Sequence, residues 1–298
     1  MEFRDYQTEI INKAKPLLQK DKFVYLAMEV RTGKTLTSLG VSALLPVSNL
    51  LFITKKKAIS SIQDDYKLLN PSYSITVINY ESLHKIDQLG WDMVVCDEAH
   101  GMGAFPKRNK RSTQVRSLIL ENDPFVIFLS GTPTPESFSQ MYHQVSVVRK
   151  HPFNSYVNFY KFSKHYVNVK QRKINSFIIN DYSDGLQIII DEMKPHTIAY
   201  TQKEAGFKIK TREHILEVEM SPITYQFIHD NFADAKIGIF YKFKEELNAL
   251  KEIYGDELCT DLSTFNETNK TIALQIVSGR EGISLRKADA LVYYNIDF

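Results

Sequence analysis

The chain has 298 residues, 43% of them hydrophobic and 24% charged, a balance that excludes a disordered or fibrous protein. At ~150 residues per domain it predicts two compact lobes with cores of their own. Lys and Arg number 37 against 35 Asp and Glu, a net charge of +2, too even for a protein that coats nucleic acid by charge but compatible with a local basic groove. Two cysteines, Cys96 and Cys259, cannot build a disulfide framework and point to the reducing cytoplasm. No apolar run approaches the ~20 residues of a membrane span, and the charged start Met1–Asp5 lacks a signal-peptide core. A secreted or membrane protein is not expected.

In chain order, Phe23–Ala27 is a strand-like run ending at a glycine-containing turn. The turn Thr32-Gly33-Lys34-Thr35 then opens a helix predicted over Lys34–Leu45. A glycine before Lys-Thr lets backbone N–H groups close on phosphate oxygens, and the helix N-terminus favours the anion. Lys34 is placed to reach the β- and γ-phosphates of a nucleotide, with the Thr35 hydroxyl on Mg2+. Arg31, Thr32 and Gly33 complete the candidate nucleotide loop. Met28 stands where the full phosphate-loop pattern has its first glycine.

Further apolar runs follow at Leu50–Ile53, Ile75–Ile78, Met93–Cys96 and Phe125–Leu129, with helix-length segments at Lys57–Leu69 and Thr113–Glu121. The runs are short, β-branched or aromatic, and lack polar alternation, as strands covered on both faces should. Repeated strand-then-helix predicts an α/β domain with a parallel sheet. Asp97-Glu98-Ala99-His100 closes the fourth run, placing two acids at a sheet's carboxyl end, where α/β ligands bind. Asp97 suits a role on Mg2+, and Glu98 suits orienting or deprotonating an attacking water. Ser130-Gly131-Thr132-Pro133 closes the fifth run. By itself it is a turn; after a third strand end it is a candidate coupling element.

The pattern changes after about Arg149. Between Pro152 and Lys173 aromatic and basic residues interleave, which suits either a nucleic-acid surface or aromatics packed in a helical insertion with solvated lysines. Strand signals return at Ile215–Val218, Lys236–Phe240, Thr271–Val277 and Ala290–Tyr294, with a helix over Phe243–Tyr254. The predicted organisation is a nucleotide-binding lobe over 1–149, an insertion or linker over 150–194, and a second lobe over 195–298. His143, His151, His165, His196, His214 and His229 show no metal-ligand spacing.

Three of these segments, Gly33-Lys-Thr35, Asp97-Glu-Ala-His100 and Ser130-Gly-Thr-Pro133, resemble motifs I, II and III of superfamily-two helicases and translocases. Phe3-Arg-Asp-Tyr-Gln7 is similar to the upstream adenine-reading motif, which implies Gln7 on the adenine edge and Arg4 or Tyr6 near the base. Thr54-Lys-Lys-Lys57 resembles motif Ia and Val77-Ile-Asn-Tyr-Glu81 the next nucleic-acid-facing segment. These imply nucleic-acid contacts at Lys55, Lys56, Lys57 and Tyr80, with a solvated helix start as the alternative for the lysines. Ile237–Phe240 resembles motif IV, and Ser278–Leu285 resembles motif V. Across these motifs the resemblance implies coupling roles for His100, Ser130, Gly131, Thr132, Gly282 and Ser284. The basic stretch Lys107–Arg111 after the DEAH motif is similar to the Swi/Snf-like branch, and the compact length to phage-encoded members, which implies bacterial or host cytoplasm.

The resemblance implies two RecA-like lobes, ATP and Mg2+ as cofactors, and DNA, rather than RNA, as the partner. An ATP-driven translocase on DNA, most naturally duplex, is the expected activity. A nucleotide-dependent DNA clamp and the helicase-like arm of a restriction or defence assembly are the alternatives. Motif VI normally follows the strand after motif V. Here that strand runs to Tyr294 and the chain stops at Phe298, so the second lobe is expected to be incomplete. The missing segment would come from a longer or separate chain, or Arg280 or Arg286 would substitute. On that expectation residues 1–298 bind Mg·ATP but turn it over slowly.

Overall fold

The structure, a computed structural model, describes residues 2–174, 177–206, 235–276, 285 and 287–293. Contacts divide the chain into two units, Met1–Ile209 and Lys210–Phe298. In the first, α1 (Asp5–Asp21), β1 (Phe23–Met28), α2 (Lys34–Ala43), β2 (Asn49–Thr54), α3 (Ile59–Leu69), β3 (Ser74–Asn79), β4 (Met93–Asp97), α4 (Lys110–Asn122) and β5 (Phe125–Leu129) follow one another. Then come α5 (Gln140–Val145), α6 (Phe159–Tyr166), a hairpin of β6 (Lys170–Ile174) and β7 (Phe177–Asp181), α7 (Ile188–Met193) and β8 (Thr197–Tyr200).

Six strands form one parallel sheet in the order β3-β2-β4-β5-β1-β8. Successive side chains on a strand point to opposite faces, and here both faces are covered. Val24, Leu26, Phe52, Val95 and Ile127 pack with α1, α2 and α3 through Ile10, Leu18, Leu39 and Ile62. Phe23, Tyr25, Leu51, Val94, Cys96 and Phe128 pack on the other face with α4, α5 and α6 through Val115, Leu118, Met141 and Phe162. That double burial is why the strand runs carry no polar alternation.

One sequence expectation changes, and one that the sequence left open is decided. Residues assigned to the second lobe from 195 onward include β8, which pairs with β1 at the edge of the first sheet. The aromatics of the insertion are core: Phe153, Phe159, Phe162 and Tyr166 are buried and meet edge-on or stacked, with Phe162 and Tyr166 centroids 4.8 Å apart. Tyr160 alone of the large rings on α6 remains well exposed.

In the second unit β9 (Ile237–Tyr241), α8 (Lys244–Tyr254), β10 (Leu258–Cys259), α9 (Leu262–Glu267), β11 (Thr271–Gln275) and β12 (Ala290–Tyr293) form a four-stranded parallel sheet, ordered β10-β11-β9-β12. Leu250 of α8 packs on one face against Ile237 and Ile239, and Phe265 of α9 on the other against Phe240 and Ile272. The strand expected at 215–218 lies outside the described residues.

Candidate active site

Strands β4, β5 and β1 are neighbours, so the turns leaving their carboxyl ends converge. Met28 is fully buried and still paired in β1, opposite Tyr200. The phosphate loop therefore starts one residue later than the full pattern, and Met28 fills core where that pattern has glycine. Left-handed backbone at Arg31 (φ 66°) and Gly33 (φ 79°) closes the turn into α2. A Cβ on Gly33 would lie 2.5 Å from Gln7 Nε2, so any side chain here must displace that amide as well as hold left-handed backbone.

The loop is braced from two directions. Tyr6 Oη donates to the Thr32 carbonyl (3.1 Å), and Gln7 Nε2 donates to the Gly33 carbonyl (3.4 Å) and to Thr37 Oγ1 (3.3 Å). Gln7 Oε1 accepts from the Arg4 N–H (3.0 Å). Both ends of this buried amide are thus engaged in the loop and the start of α1. The second brace follows β8. The Glu29 N–H donates to the Tyr200 carbonyl (2.9 Å), the Gln202 N–H to Glu29 Oε2 (2.8 Å), and Gln202 Nε2 to the Val30 carbonyl (2.9 Å). The Tyr200 ring stacks on Tyr6 at 4.7 Å. Sequence reasoning missed Tyr200 and Gln202. The β-branched and aromatic run Thr197–Tyr200 was the available signal for a strand, but nothing local says which sheet it joins. Thr32 is buried with its hydroxyl on the Glu29 carbonyl (2.7 Å), while Arg4 and Arg31 are exposed.

Asp97 ends β4 and is partly buried. Its Oδ2 accepts from Thr54 Oγ1 at the end of β2 (2.7 Å), and its carbonyl from Tyr80 Oη (2.7 Å). Burial, reinforced by the Glu98 charge, pushes the Asp97 carboxyl above the usual range, against the Thr54 hydrogen bond and Lys34. Glu98 adopts left-handed backbone (φ 50°, ψ 47°), a strained conformation for a residue with a Cβ and one that accumulates at functional sites. Its two oxygens lie 3.7 Å from Lys34 Nζ and 3.2 Å from His100 Nδ1. His100 Nδ1 is also 2.9 Å from Ser130 Oγ, which accepts from the Thr132 N–H (3.1 Å). Burial lowers the His100 pKa in spite of Glu98. Gly131 lies against Met28 and Glu29, where a Cβ would contact the Met28 carbonyl at 3.4 Å. Lys34, Glu98, His100 and Ser130 thus form one chain of contacts across three loops.

The expected nucleic-acid residues separate. Lys56 and Lys57 are exposed, whereas Lys55 is half-buried and burial lowers its pKa, opposed by Glu98 and Asp97 nearby. Tyr80 corrects the sequence expectation: its side chain is 2% exposed and bonded to Asp97, so it supports the acid pair instead of presenting a ring to nucleic acid. The Arg111 guanidinium, 5.5 Å over the Tyr80 ring and bonded to Glu81 (2.6 and 2.9 Å), covers it. Gly282 and Ser284 lie outside the described residues.

The site fits a magnesium nucleotide. The first turn of α2 presents backbone N–H groups beside Lys34, and Thr35, Asp97 and Glu98 are oxygen donors suited to a hard cation. No group of three or more His, Cys, Asp or Glu side chains able to hold a metal occurs among the described residues. A cation here would complete its shell with phosphate oxygens and water, as Mg2+ does in nucleotide sites.

A family model described as the SNF2-related domain matches residues 14–265. Among solved structures, the chain is similar to the SWI2/SNF2 ATPase core of Sulfolobus solfataricus in complex with dsDNA, with a TM-score of 0.56 and 14% sequence identity over 99% of this chain and 82% of that one. No curated protein sequence matches the chain. That likeness establishes the fold, two RecA-like lobes with parallel sheets. With the family model spanning most of its length, including the phosphate loop, the acid pair and the Ser130 turn, the chain belongs to the SNF2-related domain family.

Proposed function

We propose that the protein is an ATPase that couples hydrolysis to movement along DNA, duplex in preference to single strands. The contact chain Lys34–Glu98–His100–Ser130 supports this most directly. It ties the nucleotide loop and the acid pair to a third strand end, the arrangement a motor needs if hydrolysis is to be felt elsewhere. The SNF2 family, and a structural neighbour held in complex with dsDNA, support duplex as the track.

Lys34 neutralises charge on the β- and γ-phosphates, and the α2 N-terminus orients them. Thr35 and Asp97 would hold Mg2+, which when bound screens the phosphates. Glu98, with one oxygen 3.7 Å from Lys34 Nζ, orients the attacking water and accepts its proton. Tyr6, Gln7 and Gln202 keep the loop in place; Gln7, expected on the adenine edge, is buried with both ends of its amide engaged and leaves the adenine side to Arg4 and Tyr6. His100 senses the Glu98 carboxylate and passes its state to Ser130 and the turn through Thr132. In this reading Lys56 and Lys57 touch phosphates and carry no sequence information.

The test is an ATPase assay with no nucleic acid, single-stranded DNA, duplex DNA and RNA in turn. Lys34→Ala should weaken nucleotide binding and abolish turnover, and Glu98→Gln should bind ATP and fail to hydrolyse it. Parent-rate hydrolysis by Glu98→Gln would overturn the assignment of the acid pair.

A further inference from the structure

A cavity of about 650 Å3 opens between α4, α5 and residues 157–160 and shares no residue with the nucleotide loop, the acid pair or the Ser130 turn. Since α4 connects two parallel strands, it runs back from their carboxyl ends toward their amino ends. The cavity wall that α4 supplies therefore leads away from the nucleotide loops.

Three cations line it, Lys107, Arg108 and Arg116, against one acid, Glu121. None of the three has a carboxylate within salt-bridge distance among the described residues. Arg108 is half-buried and spends its donors on neutral acceptors: Ser112 Oγ (2.6 Å), the His143 carbonyl (3.2 Å) and Ser146 Oγ (2.6 Å). Arg116 Nε donates to the Ser146 carbonyl (3.2 Å). Two guanidinium groups thus converge on one serine without a counter-charge, and burial of the first lowers its pKa to about 10.

A second observation is independent of charge. The rim is apolar, with Val157 91% and Tyr160 47% exposed.

A ligand that meets both demands carries carboxylates for the guanidinium groups and aliphatic or aromatic side chains for the rim. We propose that this groove docks an extended acidic–hydrophobic peptide segment of a partner protein. A phosphodiester backbone would supply the anion but no apolar side chain, which is why a polypeptide fits better.

The test is fluorescence anisotropy on the whole chain with a short fluorescein-labelled peptide alternating glutamate and leucine. Companion peptides replace glutamate by glutamine or leucine by serine, and a short DNA duplex serves as the comparison ligand. The Glu/Leu peptide should bind, with each companion at least ~10-fold weaker. Arg116→Glu should weaken it by about tenfold or more and Val157→Asp by several-fold. Both positions are exposed, so the fold is retained, which unchanged Trp91 fluorescence and nucleic-acid-free ATPase would verify. No peptide binding near ~1 mM, equal binding of either companion, or indifference to Arg116→Glu or Val157→Asp would each overturn the proposal. So would an equal loss of duplex affinity in Arg116→Glu, which would make the groove a nucleic-acid surface.

Discussion

Gly33→Ala is the sharpest test of how the nucleotide loop is built. The alanine must hold φ near +79°, which costs ~1–2 kcal/mol in left-handed backbone. Its Cβ would also sit 2.5 Å from Gln7 Nε2 and 3.5 Å from Gln7 Cδ, so the amide must leave the Gly33 carbonyl and Thr37 Oγ1. Those two hydrogen bonds are long, at 3.4 and 3.3 Å, and losing them adds about 1–2 kcal/mol. The expected total is roughly 2–4 kcal/mol, which at a urea slope near ~3 kcal/mol per molar lowers the midpoint by about 1 M. A chain of two units does not unfold in one step, so the probe must be local. The single tryptophan, Trp91, packs against the core of the first unit and donates from Nε1 to the Asp87 carbonyl, so its fluorescence follows that unit alone. In a Gln7→Ala background the clash is gone, and the same substitution should cost only the backbone term, ~1–2 kcal/mol. A cost below about 0.5 kcal/mol in the parent, or an equal cost in both backgrounds, would show that Gln7 does not brace the loop.

Other expectations follow from single contacts. Tyr80→Phe leaves the buried Asp97 carbonyl unpaired and should cost ~1–3 kcal/mol by Trp91-monitored unfolding, with duplex affinity in a gel-shift titration unchanged because the ring is buried. Asp97 has a raised pKa in the fold, so its ionised form opposes folding above the ordinary value of 3.8. Asp97→Asn should therefore have a higher urea midpoint than the parent at pH 7 and lose that advantage as pH falls below about 4. Its ATP turnover should be abolished. His143 and His151 are the reverse case: burial lowers each from 6.5 to about 4, so the stability they contribute is full above 6.5 and is lost as pH falls toward 4. Equilibrium unfolding between pH 7 and 4 should show a decline on the order of 3 kcal/mol per histidine at the limit, reduced when either is replaced by glutamine. Lys56→Ala with Lys57→Ala should weaken duplex binding equally for all sequences and flatten the salt dependence by about 0.9 per lost phosphate contact; an unchanged slope would remove these lysines from the groove.

Much of the first unit was legible without coordinates. A strand buried on both faces must be apolar at every position, so Leu50–Ile53, Met93–Cys96 and Phe125–Leu129 announce themselves, and the spacing of strand and helix predicts the parallel sheet. The candidate site residues were legible for the same local reason. Gly33, Lys34 and Thr35 follow a strand and open a helix, and Asp97 and Glu98 end a strand. Where such residues sit is a property of a few neighbours along the chain.

Their partners are not local. Gln7 reaches Gly33 and Thr37, Tyr80 reaches Asp97 across a 3-10 turn, and Gln202 reaches back to Glu29. β8 carries a β-branched and aromatic run that the sequence reading passed over, and its place beside β1 is settled by pairing between segments far apart in sequence, which moved the expected boundary. The rings between Phe153 and Tyr166 have one composition whether they face solvent or each other; burial against α5 and the sheet settled it. Residue type and short spacing thus determined which groups this protein brings to its strand ends. Tertiary packing alone decided which side chains hold those groups in place, because a hydrogen bond between distant segments is set by the geometry of the elements and leaves no periodic trace in either one.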